Sequence, residues 1–474
     1  MREKLTKVLG QSAAIWTILT AGVLLLCASI LFGPTGKSIL PICVGCLVAG
    51  ILCIAILIWT RSGEIFPPII QRAQLALAEK GDRRRDARIA RDAKAGAPIK
   101  VGLLLDLPSL WTMFESLYDE LKNDERFEVT IVAMPDVNKG KLVGNSASEM
   151  LTKAGVPHEV LYQNGRLGNL SSYGFHYVFP SRHYTYIRPK KYVNWRMRGV
   201  ARMCHISYGV CIFSGGILEI VMNFEELQHY SIVFSETAIH SSLFEARRDK
   251  YPDCHAKIEL VGSSKFDAIH PEDFACPPSN YKQVILYAPR WTPDGNACTF
   301  LDYYECFFDL VEQHPDVKYI LRPHPLMRNR FRGRVIPEEE WDAIFDRFND
   351  YDNAEVDENP DYRAAFKQAT VFVSDISSLI PEFLLTEKPI IYAQKRWQFN
   401  EFGKAISEGC YHCHNWDEIS NVLDSLREGN HPKREAQRRV IDEYSYLGEE
   451  SAASRMKQVI IRDYRELAGD GDPA

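Results

Sequence analysis

Polar side chains able to bind a phosphate group follow an apolar run at residues 371–373. Asp375, Ser377 and Ser378 come next, and an apolar stretch of helical character containing Glu382 begins directly after them. Either serine is a suitable N-cap, and the free N–H groups and positive dipole end of a helix start attract phosphate. An ordinary capped helix explains this segment equally well. Because the turn has no glycine, it is neither a P-loop nor a dinucleotide-binding turn.

Three basic side chains come directly after two further predicted strands. Arg322 and His324 follow residues 317–321, and prolines on both sides of His324 restrict its backbone. Arg290 follows residues 284–287. Guanidinium and imidazole groups are good partners for phosphate oxygens, so these residues predict an anion-binding site. A structural histidine in a proline-rich loop is the alternative interpretation of His324.

The first half of the chain offers one histidine and one lysine in comparable positions. His205 lies in the segment 204–209, in a mixed apolar context where a buried core histidine is the more frequent outcome. Lys265 lies in a Gly/Ser turn, residues 262–267, that follows a predicted strand.

Strand-like and helix-like segments alternate through the body of the chain, which predicts parallel sheets with helices on both faces. One series covers residues 98–278 and a second covers residues 279–474, with a proline-rich break at residues 276–280. The predicted fold class is α/β: two tandem doubly wound, Rossmann-like domains with a closing C-terminal helix. Ligands of such sheets bind beyond the carboxyl ends of the strands, where the candidate residues are expected.

The first 60 residues predict a helical hairpin that crosses a membrane. Residues 8–36 and 38–60 are uncharged, and each stretch can span a hydrocarbon core of about 30 Å. Basic residues flank the pair at both ends, so the positive-inside rule predicts a two-helix protein of the inner (cytoplasmic) membrane with its body in the cytoplasm. A signal peptide followed by a buried helix is the alternative. Residues 61–97 predict a basic helical linker.

Composition narrows the function classes. Of the 474 residues, 46% are hydrophobic and 25% are charged, which excludes wholesale disorder. Residues 1–100 contain 14 Lys/Arg and 6 Asp/Glu, whereas the whole chain has a net charge of −6. A basic end on an acidic body argues against nucleic acid as a partner and favours a membrane surface.

The segment Cys-Tyr-His-Cys-His at residues 410–414 matches the pattern of covalent haem attachment. It also offers four possible zinc ligands, Cys410, His412, Cys413 and His414. The predicted cytoplasmic orientation argues against haem, and the lack of a second Cys/His cluster nearby in the sequence argues against zinc. We therefore expect neither group here.

Three segments in order resemble motifs of one known family. Tyr-Ala-Pro-Arg-Trp at 287–291 is similar to Tyr-Ala-Pro-Thr-Trp, Leu-Arg-Pro-His-Pro at 321–325 to Lys-x-His-Pro, and Ser-Asp-Ile-Ser-Ser at 374–378 to Thr-Asp-Tyr-Ser-Ser. These are motifs of the CDP-glycerol glycerophosphotransferases of teichoic-acid and capsule synthesis. In the first half, residues 204–208 stand in place of Trp-His-Gly-Thr-Pro without its Gly and Pro, and residues 262–267 resemble Gly-x-Pro-Arg-x-Asp.

The resemblance implies a GT-B fold and a phosphotransferase, which the predicted N-terminal hairpin would anchor to the membrane. Residues 98–278 would form the acceptor domain and residues 279–474 the nucleotide-donor domain. The enzyme would move glycerol phosphate, or a related polyol phosphate, from a CDP-activated donor to a hydroxyl of a lipid-linked glycan, without a metal or another cofactor. His205 would be the general base, Glu382 would accept ribose hydroxyls, and the remaining candidates would bind the donor: Lys265, Arg290, Arg322, His324, Asp375, Ser377 and Ser378.

Two alternatives stay open at this point. The first is another GT-B enzyme, either a sugar transferase or a UDP-sugar 2-epimerase-like protein, since the fold and the site residues would overlap. The second is a membrane-tethered nucleotide-binding protein with a degenerate site, because Gly and Pro are missing around His205.

Overall fold

The computed structural model describes residues 78–138, 140–251, 254–293, 296–444 and 450–469. Its contacts divide the chain into two units, residues 1–80 and residues 81–474, and the second is described below. The predicted membrane hairpin and the start of the linker lie outside the described residues. Among the residues described, no helix combines the length and apolar character needed to span a bilayer. Residues 81–94, in the second part of the linker, are helical.

The first half of this unit is built on a seven-stranded sheet whose neighbouring strands are all parallel. The spatial order of the strands is β7-β6-β5-β4-β1-β2-β3. Their bounds are β1 Ile99–Leu105, β2 Phe127–Ala133, β3 Glu159–Val160, β4 Tyr177–Pro180, β5 Arg202–His205, β6 Ile232–Ser235 and β7 Lys257–Leu260. Strands β4 and β6 are buried along their whole length, as expected for a sheet covered on both faces.

Besides the helical residues 81–94, six helices of the described residues accompany this sheet. They are α1 Glu115–Lys122, α2 Ser146–Lys153, α3 Asn194–Met197, α4 Gly216–Val221, α5 Phe224–Leu227 and α6 Ala238–Arg248. The longest, α6, begins at the N-cap Thr237, whose side chain accepts a hydrogen bond from the His240 amide.

The second half is built on a six-stranded parallel sheet in the order β10-β9-β8-β11-β12-β13. Its strands are β8 Gln283–Tyr287, β9 Val317–Leu321, β10 Ala354–Val356, β11 Val371–Ser374, β12 Ile390–Ala393 and β13 Tyr411–Cys413. Tyr287 pairs with Leu321 on one side and with Val373 on the other. This register brings the segments that follow β8, β9 and β11 to one edge of the sheet.

The remaining helices follow in chain order. They are α7 Phe300–Gln313, α8 Met327–Phe331, α9 Glu338–Asp346, α10 Arg363–Gln368, α11 Leu379–Leu384, α12 Glu401–Ser407, α13 Trp416–Arg427, α14 Arg434–Tyr444 and α15 Ala452–Ala468. The predicted α/β class with two parallel sheets is therefore confirmed.

A crossing segment, residues 206–215, leaves the end of β5 and enters the second half. Residues 210–213 belong to the same apolar core as α11 and α12. Asn400 donates from its backbone N–H to the Ile212 carbonyl (2.9 Å) and from its side chain to the Cys211 carbonyl (2.7 Å). A Cβ atom at Gly403 would lie 2.6 Å from the Ile212 carbonyl oxygen, so glycine permits this close packing.

The last helix, α15, packs against the first half although it follows the second in sequence. Its apolar side chains belong to the core of strands β1, β2 and β4. Asp463 accepts a hydrogen bond from the Tyr177 hydroxyl (2.8 Å). At the start of the helix, the Asp267 carboxylate accepts from the N–H groups of Ala452 (2.7 Å) and Ala453 (3.0 Å). A carboxylate at a helix N-terminus is favourable because it satisfies free donors and faces the positive dipole end.

Asp267→Ala tests this anchor. Removing the carboxylate leaves the first amides of α15 without their acceptor, so we expect a loss of about 1–2 kcal/mol in the free energy of unfolding. Urea unfolding of the full chain measures the change. Asp273, an exposed residue nearby in sequence, provides the control, because Asp273→Ala should stay within about 0.5 kcal/mol. Equal stabilities of the two variants would contradict the anchoring role.

Candidate functional site

Asp375 organises the carboxyl edge of the second sheet. It is fully buried directly after β11, and its carboxylate accepts from the Arg290 N–H (2.8 and 3.0 Å). The carboxylate also accepts hydrogen bonds from the N–H (2.9 Å) and the hydroxyl (3.1 Å) of Thr299. Burial raises the pKa of Asp375 to about 7. The loops after β8 and β11 are thus tied together, and this use of the carboxylate differs from the donor-binding role expected from the sequence.

Arg290 lies in an aromatic cage at this edge. Its guanidinium is 4.3 Å from the ring centre of Trp397, 4.9 Å from that of Phe213 and 5.9 Å from that of Trp291. Its Nε donates to the Thr292 hydroxyl (3.1 Å). Cation–π contacts and burial fix the side chain in place. Phe213 belongs to the crossing segment, so the first half of the unit helps to position a cation of the second.

His324 lies beside this cage, and one of its ring nitrogens already has a hydrogen-bond partner. Its Nδ1 accepts from the Leu326 N–H (3.1 Å), so a neutral ring carries its proton on Nε2. The ring is accessible to solvent, but surrounding protein, followed by the positive charges of Arg290 and Arg322, lowers its pKa to about 4. At neutral pH His324 is therefore an uncharged N–H donor in a positive field.

Arg322 and the two serines complete the group at this edge. Arg322 is ion-paired with Asp357 and also donates to the Asn359 carbonyl (2.8 Å). The Ser377 hydroxyl accepts from the Leu379 N–H (3.2 Å), and Ser378 is the N-cap residue of α11. Because β9, β8 and β11 are neighbours, the structure brings Arg290, Arg322, His324, Ser377 and Ser378 to one edge, as the sequence predicts for an anion site.

The crossing segment of the first half passes next to Ser378 of the second. A Cβ atom on Gly209 of the crossing segment would lie 3.3 Å from the Ser378 Cβ. The absence of a side chain at position 209 lets the backbone of the first half come next to the start of α11. The candidate site is therefore bounded by both halves.

Lys265 and Glu382 form a buried ion pair across the halves. The Lys265 ammonium lies 2.6 Å from the Glu382 carboxylate, and the two side chains are 8% and 1% exposed. The ammonium also lies 4.9 Å from the Tyr362 ring centre and 3.4 Å from the Tyr208 carbonyl oxygen. Each side chain has thus taken the other as its partner. The expected donor-binding role of Lys265 and ribose-binding role of Glu382 do not fit this geometry.

His205, the expected general base, is enclosed at the end of β5. It is 1% exposed, and its ring centre lies 5.1 Å from that of His183, 5.7 Å from Tyr230 and 6.1 Å from Phe244. Neither ring nitrogen has a hydrogen-bond partner among the described residues. Burial, followed by the charges of His183 and Arg188, holds its pKa well below the ordinary value. The ring is therefore neutral at physiological pH.

Sequence reasoning missed the neighbours of His205. His183 donates from Nε2 to the Ile220 carbonyl (3.2 Å), and burial lowers its pKa to about 4. The hydroxyls of Tyr184 and Tyr208 lie 3.2 Å apart. Their position in the sequence could have identified them: residues 181–184 follow β4 directly, and His205 is the last residue of the neighbouring strand β5.

The structure separates the two cysteines of the segment 410–414. Cys410 and Cys413 belong to different apolar cores, and the His412 ring lies 2.9 Å from the Ser407 carbonyl. Within the described ranges there is no group of three or more His, Cys, Asp or Glu side chains arranged to hold an ion.

Comparison with known proteins agrees with the motifs. Residues 229–461 match the model of the CDP-glycerol:poly(glycerophosphate) glycerophosphotransferase family. The resemblance inferred from the motifs is confirmed. All candidate donor-side residues lie inside the matched range, whereas His205 lies outside it. No curated protein gave a significant match to the whole sequence.

Solved structures with the same fold include enzymes of two kinds. The wall teichoic acid polymerase TagF aligns with a TM-score of 0.50 at 14% identity, covering 84% of this chain and 98% of that one. The UDP-bound MnaA of S. aureus aligns at 0.52 and 13%, covering 79% and 99%. UDP-GlcNAc 2-epimerase from Neisseria meningitidis aligns at 0.51 and 11%, covering 77% and 100%. At these identities the likeness establishes the GT-B-type fold alone.

The ion pair between the halves can be tested by breaking and replacing it. Glu382→Leu leaves the Lys265 ammonium buried without its partner, so we expect a loss of about 3–5 kcal/mol in the free energy of unfolding. Lys265→Met with Glu382→Leu should recover most of it, because no unpaired charge remains. Urea unfolding of the parent protein, Glu382→Leu, Lys265→Met and the double variant gives the coupling energy, and additive losses would contradict a direct pair.

The neutral state of His324 predicts a pH-dependent affinity. A bound diphosphate favours the protonated ring and raises its pKa above 4, so binding takes up a proton. The affinity for CDP should therefore rise as the pH falls from 8 to 5, by up to about tenfold per pH unit. Titration calorimetry at several pH values measures this slope.

His324→Gln is the matched control for that titration. Glutamine keeps an N–H donor but cannot take up a proton, so its pH profile should be flatter than that of the parent protein. Both proteins experience the same ionisation of the CDP phosphates, which therefore cancels in the comparison. Identical slopes would show that His324 does not contact the diphosphate.

Proposed function

We propose that the protein is a membrane-anchored transferase of polyol phosphate. It moves glycerol phosphate, or a related polyol phosphate, from a CDP-activated donor to a hydroxyl of a lipid-linked glycan in the synthesis of a cell-surface polymer such as teichoic acid or capsule. The observation that carries this proposal is the family match over residues 229–461, which spans the whole second sheet.

The carboxyl edge of the second sheet supplies the donor site in this proposal. Arg290 and His324 face the same space beside Trp291, whose ring centre lies 5.7 Å from that of His324. Arg290 contributes fixed positive charge, and the His324 Nε2–H and the Ser378 hydroxyl contribute neutral donors. Such preorganised groups stabilise the negative charge that grows on the leaving nucleotide.

The proposed reaction is a displacement at phosphorus. The acceptor hydroxyl oxygen attacks the β-phosphorus of the donor, which carries the polyol. The bond from this phosphorus to the oxygen bridging the α-phosphate breaks, and CMP leaves with both electrons of that bond. A base takes the proton of the attacking hydroxyl. The product is a phosphodiester between the acceptor and the polyol.

His205 remains the proposed base, but it can act only if the chain that encloses it moves. Its ring is neutral and has no hydrogen-bond partner among the described residues, so a lone pair is available. The ring is enclosed, however, and the crossing segment begins at the next residue. Proton transfer to His205 therefore requires this segment to move when the acceptor binds.

Anchoring would serve the same reaction. The uncharged stretches at residues 8–36 and 38–60 would hold the enzyme at the inner membrane, with its body in the cytoplasm. An acceptor carried by a lipid in that membrane then reacts at a raised effective concentration.

CMP release tests the reaction. Full-length protein in detergent is incubated with CDP-glycerol, CDP-ribitol or a panel of UDP- and GDP-sugars, with membrane extract as acceptor. We expect CMP from a CDP-polyol, and Arg290→Ala should lower kcat/KM by about 10²–10³-fold. Arg347→Ala is the matched control, since that guanidinium also stacks on a ring (4.3 Å from the centre of Phe308) outside the site. It should change the rate by less than about twofold.

His205→Ala in the same assay locates the base. Loss of CMP release with CDP affinity retained supports His205, and full retention of the rate moves the base to another residue. Release of UDP or GDP instead of CMP would identify a sugar transferase. Nucleotide binding without turnover on any donor would overturn the catalytic proposal.

A further inference from the structure

Glu236 is a buried carboxylate whose oxygen atoms receive no hydrogen bond from the described part of the chain. It directly follows β6 at the carboxyl edge of the first sheet, and it is 6% exposed. Both carboxylate oxygens are buried, and neither has a hydrogen-bond partner among the described residues. Because a buried polar group without a partner costs free energy, its presence in a folded protein points to a role other than folding.

The other buried carboxylates of the described body have partners. The described residues include five buried Asp or Glu side chains, and four of them accept hydrogen bonds or form an ion pair within the fold: Asp106, Asp375, Glu382 and Asp463. Those four tie strands, loops or halves together. Glu236 has the burial of a structural carboxylate without the contacts of one.

Two groups of α6 that could pair with Glu236 have other partners. Thr237, the next residue, is the N-cap of α6, and its hydroxyl accepts from the His240 N–H (3.2 Å). Arg247, near the end of the same helix, is ion-paired with Glu219 (2.6 Å). Within the described ranges, the Glu236 carboxylate therefore neither caps α6 nor balances the charge of Arg247.

Glu236 and His205 belong to neighbouring strand ends beside the crossing segment. Val233 of β6 pairs with His205 of β5, so Glu236 lies three residues, or about 10 Å, further along the strand direction. Burial, followed by the negative charge of Glu236, raises the pKa of Cys211 in the crossing segment to about 12. The same segment begins directly after His205 and reaches the aromatic cage of Arg290. Glu236 therefore adjoins the segment that connects the proposed base with the donor site.

The missing partner has to be a hydrogen-bond donor without negative charge. A carboxylate repels the phosphate groups of the donor. It also needs further ligands to hold a metal ion, and no three His, Cys, Asp or Glu side chains of the described residues are grouped for that purpose. Hydroxyl groups meet the requirement, since each carboxylate oxygen can accept an O–H. The acceptor of the proposed reaction supplies such groups.

We propose that Glu236 binds hydroxyl groups of the acceptor and so selects an acceptor whose hydroxyl groups are free. This inference rests on the proposed transfer to a hydroxyl. Movement of the crossing segment, already required for proton transfer to His205, admits the acceptor to both side chains. An acceptor without hydroxyl groups at this point leaves the carboxylate buried and unpaired, and a site of this kind discriminates strongly for that reason.

Acceptor kinetics test this role. CMP release by full-length protein in detergent is measured with CDP-glycerol or CDP-ribitol over a dilution series of membrane extract. We expect Glu236→Gln to lower kcat/KM for the acceptor by about 10–100-fold, the effect of losing hydrogen bonds to a charged group, with the affinity for CDP within about twofold. Glu236→Asp keeps the carboxylate and should recover part of the loss. Unchanged acceptor kinetics in Glu236→Gln would overturn the inference and leave the transfer reaction in place.

Urea unfolding separates acceptor binding from a structural role. Glu236→Gln removes a buried charge that has no partner in the described chain, so the midpoint of unfolding should stay the same or rise. A clear drop in the midpoint would reveal a partner within the fold and overturn the inference.

Asp463→Asn is the matched control for both measurements. Its carboxylate is also buried, but it accepts from Tyr177 (2.8 Å) and pairs with Arg202 (2.7 Å), the first residues of β4 and β5, at the opposite edge of the first sheet. Losing this partnered charge should lower the midpoint of unfolding. It should leave kcat/KM for the acceptor within about twofold.

Hydrogen exchange in the absence of any donor makes the result independent of the transfer reaction. Membrane extract is added to the full-length protein in detergent, and peptides from residues 204–215 and 232–240 are followed. We expect the extract to change their exchange in the parent protein and in Asp463→Asn, but not in Glu236→Gln. That pattern supports acceptor binding even without turnover of a donor, in which case the proposed reaction alone fails. An equal response of the parent protein and Glu236→Gln, or no response in either, would overturn the inference.

Discussion

The buried contact between the Lys265 ammonium and the Glu382 carboxylate is the constraint on which the rest of the site depends. Each side chain comes from a different half, and neither charge is stable in that position alone. The pair therefore holds the halves in one register. That register places Phe213 on Arg290 and Gly209 against Ser378, contacts that no single half could make. The anion site belongs to the assembled unit.

Much of the fold could be predicted from the sequence because its signals are local. Buried parallel strands are short apolar runs, such as residues 371–373, and polar residues mark the point where each strand ends. The topology rule that ligands bind beyond the carboxyl ends then selected Arg290, Arg322, His324 and the two serines. The register of β8, β9 and β11 brings them to one edge.

The partners of these residues could not be predicted, because they are set by contacts distant in sequence. Asp375 was identified as polar and well placed, but its oxygen atoms are used by amides of Arg290 and Thr299, more than 70 residues away in sequence. Whether a substrate can reach His205 likewise depends on contacts with residues distant in sequence. A motif position indicates the residue type, whereas the aromatic rings around it determine whether a substrate can reach it. His183 was missed because it carries no motif.

The position of α15 has a consequence for how the protein is made. This helix supplies core side chains to the first sheet, yet it follows the second sheet in sequence and is synthesised after it. The first sheet therefore emerges from the ribosome with an apolar face uncovered and stays so while the second half is translated. At about 5–20 residues per second, the 216 residues between the end of β6 and the start of α15 require roughly 10–45 seconds. During that interval the nascent first half exposes apolar surface, which makes it prone to aggregation.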